Sequence, residues 1–230
     1  MSEPDDHGRP SPAVQDYLKA VYRVGEDTGR QAVATSEVAE ALAVTAPSAS
    51  AMLKKMSQLG LVAPTGRRGA VELTASGRSA ALEVIRHHRL LETYLVTRLG
   101  VPWDQVHHEA EILEHHISEE LEARIAEALG HPERDPHGDP IPTLGGEIPD
   151  VATDRLSDLP EGDTATVSRV GDEDPALLRY LAEHGLVPDV AVEMVGHGVF
   201  GGPLRVRIAG GSVVDVPPDA ARAVRVTLRD

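Results

Sequence analysis

The sequence predicts a mainly α-helical chain with a smaller β part: an N-terminal winged helix-turn-helix, a helical middle, and a C-terminal SH3-like β-barrel. Three observations predict it. Apolar residues recur at spacings of three and four through most of the first 130 residues. A short hairpin pattern interrupts them at 61–74. Beyond residue 160, short apolar runs separated by Gly turns take over.

Each element follows in order. Pro12 sits where a first helix starts, and Val14, Leu18, Val21 and Val24 form its apolar stripe. Thr35 or Ser36 can cap a second helix beginning at Glu37 and carrying Val38, Ala39 and Leu42. A turn, Ala43-Val44-Thr45, leads to a third helix with Pro47 in its first turn, where a missing N–H does no harm. Ala49, Met52, Leu53, Met56 and Leu59 are its core side, and Gly60 stops it. Leu61–Ala63 and Ala70–Thr74, joined by Pro64–Gly69, read as the hairpin that turns a helix-turn-helix into a winged helix. A long helix spans about Ala75–Leu99, a second opens at Pro102-Trp103-Asp104 and carries Val106, Ala110, Leu113 and Ile117, and a third spans about Glu119–Leu129. The stretch from His131 to Pro160 is rich in Pro and Gly and keeps no period, so it reads as extended linker. Five strands follow, at Ala165–Val170, Val190–Val195, Leu204–Ile208, Ser212–Val216 and Ala223–Leu228, with one helix at about Asp174–His184. The expected division is 1–74, a DNA-binding winged helix; 75–142, a helical metal-binding region; 143–160, linker; and 161–230, the barrel.

Composition narrows the chemistry. With no Cys, the chain has no disulfide, thiolate metal site or cysteine nucleophile. No apolar stretch approaches the roughly 20 residues of a membrane span, and the start of the chain is polar and acidic rather than signal-like, so a cytoplasmic protein is expected. The net charge of −15 argues against nucleic acid only until the chain is divided. Residues 1–74 hold 8 basic and 9 acidic residues, against 14 and 28 in the remainder. Phosphate attraction is local under physiological screening, so the near-neutral first part is compatible with DNA, while the acidity lies where cations would bind.

The helix-turn-helix offers Thr45, Ala46, Pro47, Ser48 and Ser50 at the start of its second helix: hydroxyls for phosphates or bases, and small apolar groups for thymine methyls. Lys54 and Lys55 follow, and Arg67 and Arg68 occupy the hairpin tip, within reach of a phosphate strand or minor groove. The same Ser and Thr residues also suit plain helix capping. Without Arg or Gln at the helix start, shape and phosphate contacts should carry much of the affinity.

The most informative stretch is 106–116, Val-His-His-Glu-Ala-Glu-Ile-Leu-Glu-His-His. On a helix, His107, Glu111, Glu114 and His115 are offset by three and four and share a face. His88 and Glu92 repeat the four-residue offset on the preceding helix. Paired helices projecting His and carboxylate in this way build divalent-cation sites. A solvated charged face is the plain rival, but no Lys or Arg interleaves from Val106 to Ala123, so Glu111 and Glu114 repel without a cation between them. Oxygen and imidazole ligands suit Mn²⁺ or Fe²⁺, while Zn²⁺, Co²⁺ or Ni²⁺ can substitute in vitro. A helical di-metal enzyme would need paired Glu-x-x-His repeats, and the sequence contains neither these nor a Gly-rich phosphate loop. A metal buffer, or a docking protein whose barrel takes up the Pro-rich linker, are further rivals.

The chain resembles the diphtheria toxin repressor family of metal-dependent regulators from Val14 onward. The winged helix, His88-Arg89-Leu90-Leu91-Glu92, the Glu111…Glu114-His115 helix and the 135–142 run Asp-Pro-His-Gly-Asp-Pro-Ile-Pro carry the resemblance. It implies a homodimer joined through the central helices and a metal-loaded form that binds palindromic operator DNA as a repressor. It implies a primary metal site at Asp16, Glu111, Glu114 and His115. The ancillary site falls on His88, Glu92 and His107, with an acidic residue from the barrel placed at Asp174, or Glu173 in its stead. His131 and His137 are expected to be structural or solvent-facing. Where the iron-sensing branch has Met and Cys, Asp16 and Glu111 stand, as in the manganese-sensing branch; this implies Mn²⁺, with Fe²⁺ the alternative. Lys19 stands near a position where the short manganese regulators have a carboxylate, which implies separate primary and ancillary sites rather than one close pair.

Overall fold

The computed structural model describes residues 9–65, 69–149, 153–172 and 174–229. These fall into two compact units, 1–87 with 142–146 and 88–141 with 147–230.

The first unit is the winged helix. Helix α1 (Pro12–Thr28) has Pro in its first turn, and its buried residues, among them Val14, Tyr17, Leu18, Val21 and Tyr22, cover more of its circumference than the expected stripe. Strand β1 (Val33–Ala34) precedes α2 (Thr35–Ala41), α3 (Ala46–Gln58), β2 (Val62–Pro64) and β3 (Ala70–Leu73). Helix α2 starts two residues before the expected Glu37. The reason is local: Glu37 is the third helical residue, and its Oε2 accepts from the Ala34 N–H at 2.7 Å, while the Thr35 hydroxyl donates to the Gly69 carbonyl. Of the expected core side of α3, Ala49, Leu53 and Met56 are buried. Leu59, at the helix end, is 56% exposed. The hairpin pairs Val62 with Leu73, and β1 adds a third strand by pairing Val33 with Val71. Strand β1 is only two residues long, too short for a periodic signal. Gly77 lets the following helix approach the hairpin, since a Cβ there would sit 1.9 Å from the Leu61 carbonyl oxygen.

Helix α4 (Ala75–Leu99) has the expected bounds. Its residues from His88 onward belong to the second unit, with α5 (Val106–Leu113) and α6 (Glu119–Ala128). Helix α5 does not open at Pro102 as expected. Residues 103–105 form a turn in which the Gln105 N–H donates to the Pro102 carbonyl at 2.9 Å, and the helix begins at Val106. It also ends sooner, leaving His115 and Ile117 beyond it. Glu114 keeps helical backbone angles, with its N–H on the Ala110 carbonyl at 2.9 Å, so Glu111 and Glu114 retain the three-residue spacing that puts them on one face. Leu90, Leu91, Ala110, Ile117, Ile125, Ala126 and Ile141 form one apolar cluster.

The start of the expected linker is not loose chain. From 133 to 141 it folds back on itself: the Ile141 N–H donates to Glu133 O, and Asp135 N–H to Asp139 O. The Asp135 carboxylate caps the backbone N–H groups of His137 and Asp139. Proline-rich composition signalled extension, whereas Asx-type side-chain to backbone bonds close the turn.

The remainder of the unit is a six-stranded antiparallel sheet ordered β4 (Asp154–Arg155), β9 (Val224–Leu228), β5 (Thr164–Val170), β6 (Ala191–Gly196), β7 (Leu204–Ile208), β8 (Val213–Val216). Register shifts at Val167/Arg169 and at Met194/Gly196 are bulges that curl it. Alternate residues Ala165 and Val167, Val192 and Met194, Leu204 and Val206, and Val224 and Val226 point into one core. Helices α7 (Pro175–Glu183) and α8 (Pro218–Ala223) add Leu178, Leu181, Ala220 and Ala221 to it.

Candidate metal centre

Helix α4 places His88 and Glu92 one turn apart on its inner side, 1% and 0% exposed respectively. Helix α5 brings His107 against them. The Nε2 of His88 lies 3.0 Å from Glu92 Oε1 and 3.0 Å from His107 Nδ1, and His107 Nδ1 lies 3.2 Å from the same carboxylate oxygen. The two rings meet edge to face at 4.8 Å. A fourth candidate ligand comes from the loop after β5, where Asp172 Oδ2 is 3.2 Å from His107 Nδ1. Two ring nitrogens and two carboxylates thus point at one small volume.

Asp174, the residue expected in that role, is elsewhere. It is exposed and caps α7, its Oδ1 accepting from the N–H groups of Ala176 and Leu177 at 2.8 and 3.3 Å. An Asp directly before Pro175 serves the helix start, which frees Asp172, two residues earlier, for the cluster. Glu173 lies outside the described residues.

His137 and Asp135 were missed as site residues. His137 is fully buried rather than solvent-facing. Its Nε2 donates to the Trp103 carbonyl at 2.8 Å, its ring stacks on Trp103 at 5.5 Å, and its Nδ1 faces Glu92 Oε2 at 3.7 Å. Neither of those last two atoms has a hydrogen-bond partner among the described residues. Asp135 joins them in a fully buried Glu92–Asp135–His137 group. The signal was present in the Asp-Pro-His run, but Pro-rich surroundings suggested linker. His131, by contrast, is exposed as expected.

The other side of His88 faces the end of α5. Its Nδ1 lies 2.5 Å from Glu114 Oε2 and 4.0 Å from Glu111 Oε1. Glu114 is buried, and its Oε1 is 3.6 Å from His115 Nε2. Asp16 is half-buried on α1 in the first unit.

Electrostatics agree with a cation-ready site. Burial would raise the pKa of Glu92, but the charge on His88 and the imidazoles of His107, His137 and His88 around it hold it well below the usual carboxylate range. Burial disfavours protonated His107, yet Asp172 and Glu92 override it and raise its pKa to about 10. His137 is raised to about 9 against the same burial effect, mainly by Glu92. Asp135 is pushed up, first by burial and then by its neighbours Asp139 and Glu92. The carboxylates therefore draw positive charge, and protons on His supply it when nothing else does.

A divalent ion fits this arrangement. Ligands at about 2.1 Å from an octahedral ion are roughly 3 Å from each other, the separation found among His88 Nε2, His107 Nδ1 and Glu92 Oε1. The unpartnered Glu92 Oε2 and His137 Nδ1 are the second sign, since buried polar atoms in proteins are normally satisfied.

At the proposed reading head, Thr45 caps α3, its Oγ1 accepting from the Ser48 N–H at 3.4 Å and lying 3.0 Å from Ser48 Oγ. Thr45, Pro47, Ser48, Ser50 and Lys54 are all exposed. A groove of about 660 Å³ runs between α3 and the hairpin, lined by Ser50, Lys54, Gln58 and Thr65 among others. Arg67 and Arg68 lie outside the described residues.

A winged helix with an exposed helix start, together with a buried His–carboxylate cluster, defines a metal-binding DNA-regulatory protein. Comparison with known proteins makes this specific. Residues 11–70 match the iron dependent repressor N-terminal DNA binding domain, 74–143 the iron dependent repressor metal binding and dimerisation domain, and 155–228 the FeoA domain. The iron-dependent repressor IdeR of Mycobacterium tuberculosis is 36% identical over 222 residues, covering 91% of this chain and 94% of the relative. The diphtheria toxin repressor of Corynebacterium glutamicum is 34% identical over 218 residues, covering 91% and 93%. A solved manganese-dependent transcriptional repressor in complex with manganese superposes with a TM-score of 0.87 at 44% identity, covering 94% of this chain and all of that one. The chain belongs to the diphtheria toxin repressor family and is a metal-dependent transcriptional repressor, not an enzyme. No helix among the described residues is long and apolar enough to cross a membrane.

Proposed function

We propose that the protein is a cytoplasmic, manganese-responsive repressor that binds palindromic operator DNA as a homodimer when loaded with Mn²⁺. The observation that carries the metal reading is the convergence of His88, Glu92 and His107 within 3.0–3.2 Å in a buried pocket. His88, Glu92 and His107 hold the ancillary ion, with Asp172 from the barrel as the acidic ligand and His137 on the remaining Glu92 oxygen. Asp16, Glu111, Glu114 and His115 are the primary ligands. When bound there, an ion supplies the positive charge that lets carboxylates of α1 and α5 be held together. Without it, Asp16, Glu111 and Glu114 repel, and the reading heads sample many separations; two recognition helices in successive major grooves need roughly 34 Å. Selecting that arrangement takes only a few kcal/mol of differential affinity, on the order of that which separates 1:99 from 99:1.

Manganese is favoured over iron by the all oxygen and nitrogen donor set, by carboxylates at 16 and 111, and by likeness to a manganese-dependent repressor solved in complex with manganese. The similarity to iron-dependent relatives supports Fe²⁺ as the second reading. Gel shifts at buffered free Mn²⁺ and Fe²⁺ separate them: operator retention at lower free Mn²⁺ than Fe²⁺ is expected, and the reverse order makes the protein an iron sensor. Asp16→Ala is expected to keep the fold and abolish metal-dependent retention. Full Mn²⁺-activated operator binding by that variant refutes the primary site.

A further inference from the structure

Asp172 stands on a loop of the barrel, while the groups it joins stand on α4 and α5, so the way the barrel is held against those helices sets the distance between them. Two charged pairs hold it, one on either side of the loop. Upstream, Arg169 on β5 donates from Nη1 to Asp139 Oδ1 at 2.9 Å, and Arg89 on α4 donates from Nη2 to the same oxygen at 3.3 Å. One carboxylate oxygen is thus shared by the residue next to His88 and the residue three before Asp172. The backbone follows the same course, with the Val170 N–H on the His137 carbonyl at 2.9 Å. Downstream, Asp174 caps α7, and Arg179 on that helix donates from Nη1 to Asp104 Oδ2 at 2.9 Å. Asp104 lies in the turn before α5, three residues ahead of His107. Asp139 and Asp104 are largely buried, whereas the side chains of Arg169 and Arg179 are 34% and 55% exposed.

We propose that Arg169 and Arg179, with Asp139 and Asp104 as their acceptors, are positioning residues for the Asp172 carboxylate. They touch no ion; they set the separation of Asp172 Oδ2 from His107 Nδ1, 3.2 Å in this structure. A single pair would leave the barrel a pivot about which to tilt, and two pairs on opposite sides of the loop remove it. A ligand already in place spares the ion the cost of ordering it, and that saving appears as affinity. The barrel core is built from apolar residues and includes none of these four side chains. Loss of an arginine therefore leaves the barrel folded and Asp172 present, but leaves the ion to order the loop. The pairs act on affinity at the Asp172 side of the cluster, and they act through Asp172 alone.

The inference rests on the reading that His88, Glu92, His107 and Asp172 hold a divalent cation, and the experiment separates the two. Mn²⁺ binding to the full-length chain is followed by the loss of the free-ion electron paramagnetic resonance signal. It is measured for the unsubstituted protein, for Arg169→Gln, Arg179→Gln and Asp172→Asn, and for each arginine variant combined with Asp172→Asn. A chain that takes up no Mn²⁺, or an Asp172→Asn variant that binds as tightly as the unsubstituted protein, sinks the ligand reading itself. Where Asp172→Asn weakens one ion, Arg169→Gln and Arg179→Gln are each expected to weaken that same ion by about tenfold, the low end of effects seen for outer-shell partners. Any second ion should bind as before. In the Asp172→Asn background neither arginine substitution should cost more than about a further twofold, because no carboxylate is left to place. A general loosening of the chain would weaken the ion equally in both backgrounds. Equal losses in the two backgrounds, or no loss from either one of the substitutions, overturn the positioning role. Should Arg179→Gln unfold the chain by removing the partner of a buried Asp104, Arg169→Gln decides alone, since Asp139 keeps Arg89.

Discussion

The start of α3 and the inner side of α4 both gather polar residues, yet the structure treats them in opposite ways. At α3, Thr45 and Ser48 satisfy each other and the helix end, and both are exposed. On α4, His88 and Glu92 are taken fully out of water, and among the described residues Glu92 Oε2 and His137 Nδ1 have no hydrogen-bond partner. A polar group in water costs nothing to leave there, so its presence at α3 says little about a ligand. Burying a charged cluster costs several kcal/mol per ion unless something compensates it. The inner cluster, compensated by protons on its histidines when nothing else supplies the charge, is suited to a cation that replaces them, whereas the helix start becomes a DNA surface only through its place in a winged helix.

The largest expected effect tests whether the buried cluster is built for its ligand. Gly138 follows His137 at φ +92°, and a Cβ there would lie 2.1 Å from the Ser168 carbonyl oxygen and 2.9 Å from Arg169 Cα. The neighbouring His137 carbonyl meanwhile accepts from the Val170 N–H at 2.9 Å. Gly138→Ala should cost about 3 kcal/mol through strain and overlap and should displace His137 from Glu92. Chemical denaturation gives the first quantity and Mn²⁺ titration the second. An unchanged denaturation midpoint would show that the loop yields easily and that the pocket is less constrained than its packing implies.

Next in size is the pH response of the same cluster. His107 and His137, raised to about 10 and about 9, are protonated at neutral pH in the metal-free protein, and a cation must displace those protons. Ion uptake should release about two protons, and affinity should rise by tenfold or more per pH unit between roughly pH 6 and 8. Stability of the metal-free form runs the other way. A His whose pKa is raised above its ordinary 6.5 contributes stability that is fully present below that value and is lost as pH passes its folded value, for His107 about 10. Metal-free protein should thus weaken toward alkaline pH while its hold on the ion strengthens. Calorimetry in buffers of different ionisation enthalpy counts the protons; a count of zero would mean the ion binds elsewhere.

The same contrast explains how far the sequence could be read. Long periodic elements were legible: α4 has its expected bounds, and five barrel strands fall within a residue or two of theirs. His88, Glu92 and His107 meet as their four-residue offsets and shared chemistry suggested. What escaped was set by contacts distant in sequence. Asp172 and Asp174 are equivalent by type, and only the cap on α7 tells them apart. His137 sits in a run of Pro and Gly that signals extension, and reaches the candidate metal centre because Asp135 bends the loop and Trp103 takes its ring. The early end of α5 is equally invisible to periodicity, since His115 and Ile117 continue the apolar and polar rhythm beyond the last helical turn.

At the reading head, Thr45 separates capping from recognition. Thr45→Ala should cost about 1 kcal/mol of thermal or chemical stability by removing the cap. Thr45→Asn restores an equivalent cap, so stability should return. If Thr45 also touches the operator, affinity for DNA should stay low in the Asn variant. That is the expected result, since the hydroxyl is exposed at the helix end proposed to enter the groove. Recovery of both properties would reduce Thr45 to a structural residue.

The smallest effect concerns Lys54, exposed on α3 beside the groove that the hairpin completes. Stability should change by no more than about 0.5 kcal/mol in Lys54→Ala, since the exposed side chain leaves no cavity. Operator affinity should fall a few-fold, and the slope of log affinity against log salt should drop by about 1, the signature of one lost phosphate contact. The loss should be nearly uniform across operator sequences, because a phosphate contact fixes register without reading bases. A loss confined to one base position would instead make Lys54 a base-reading residue. The few polar side chains at the start of α3 would then share sequence recognition with its middle, and the contrast between a self-satisfied helix start and a ligand-seeking core would extend along the recognition helix itself.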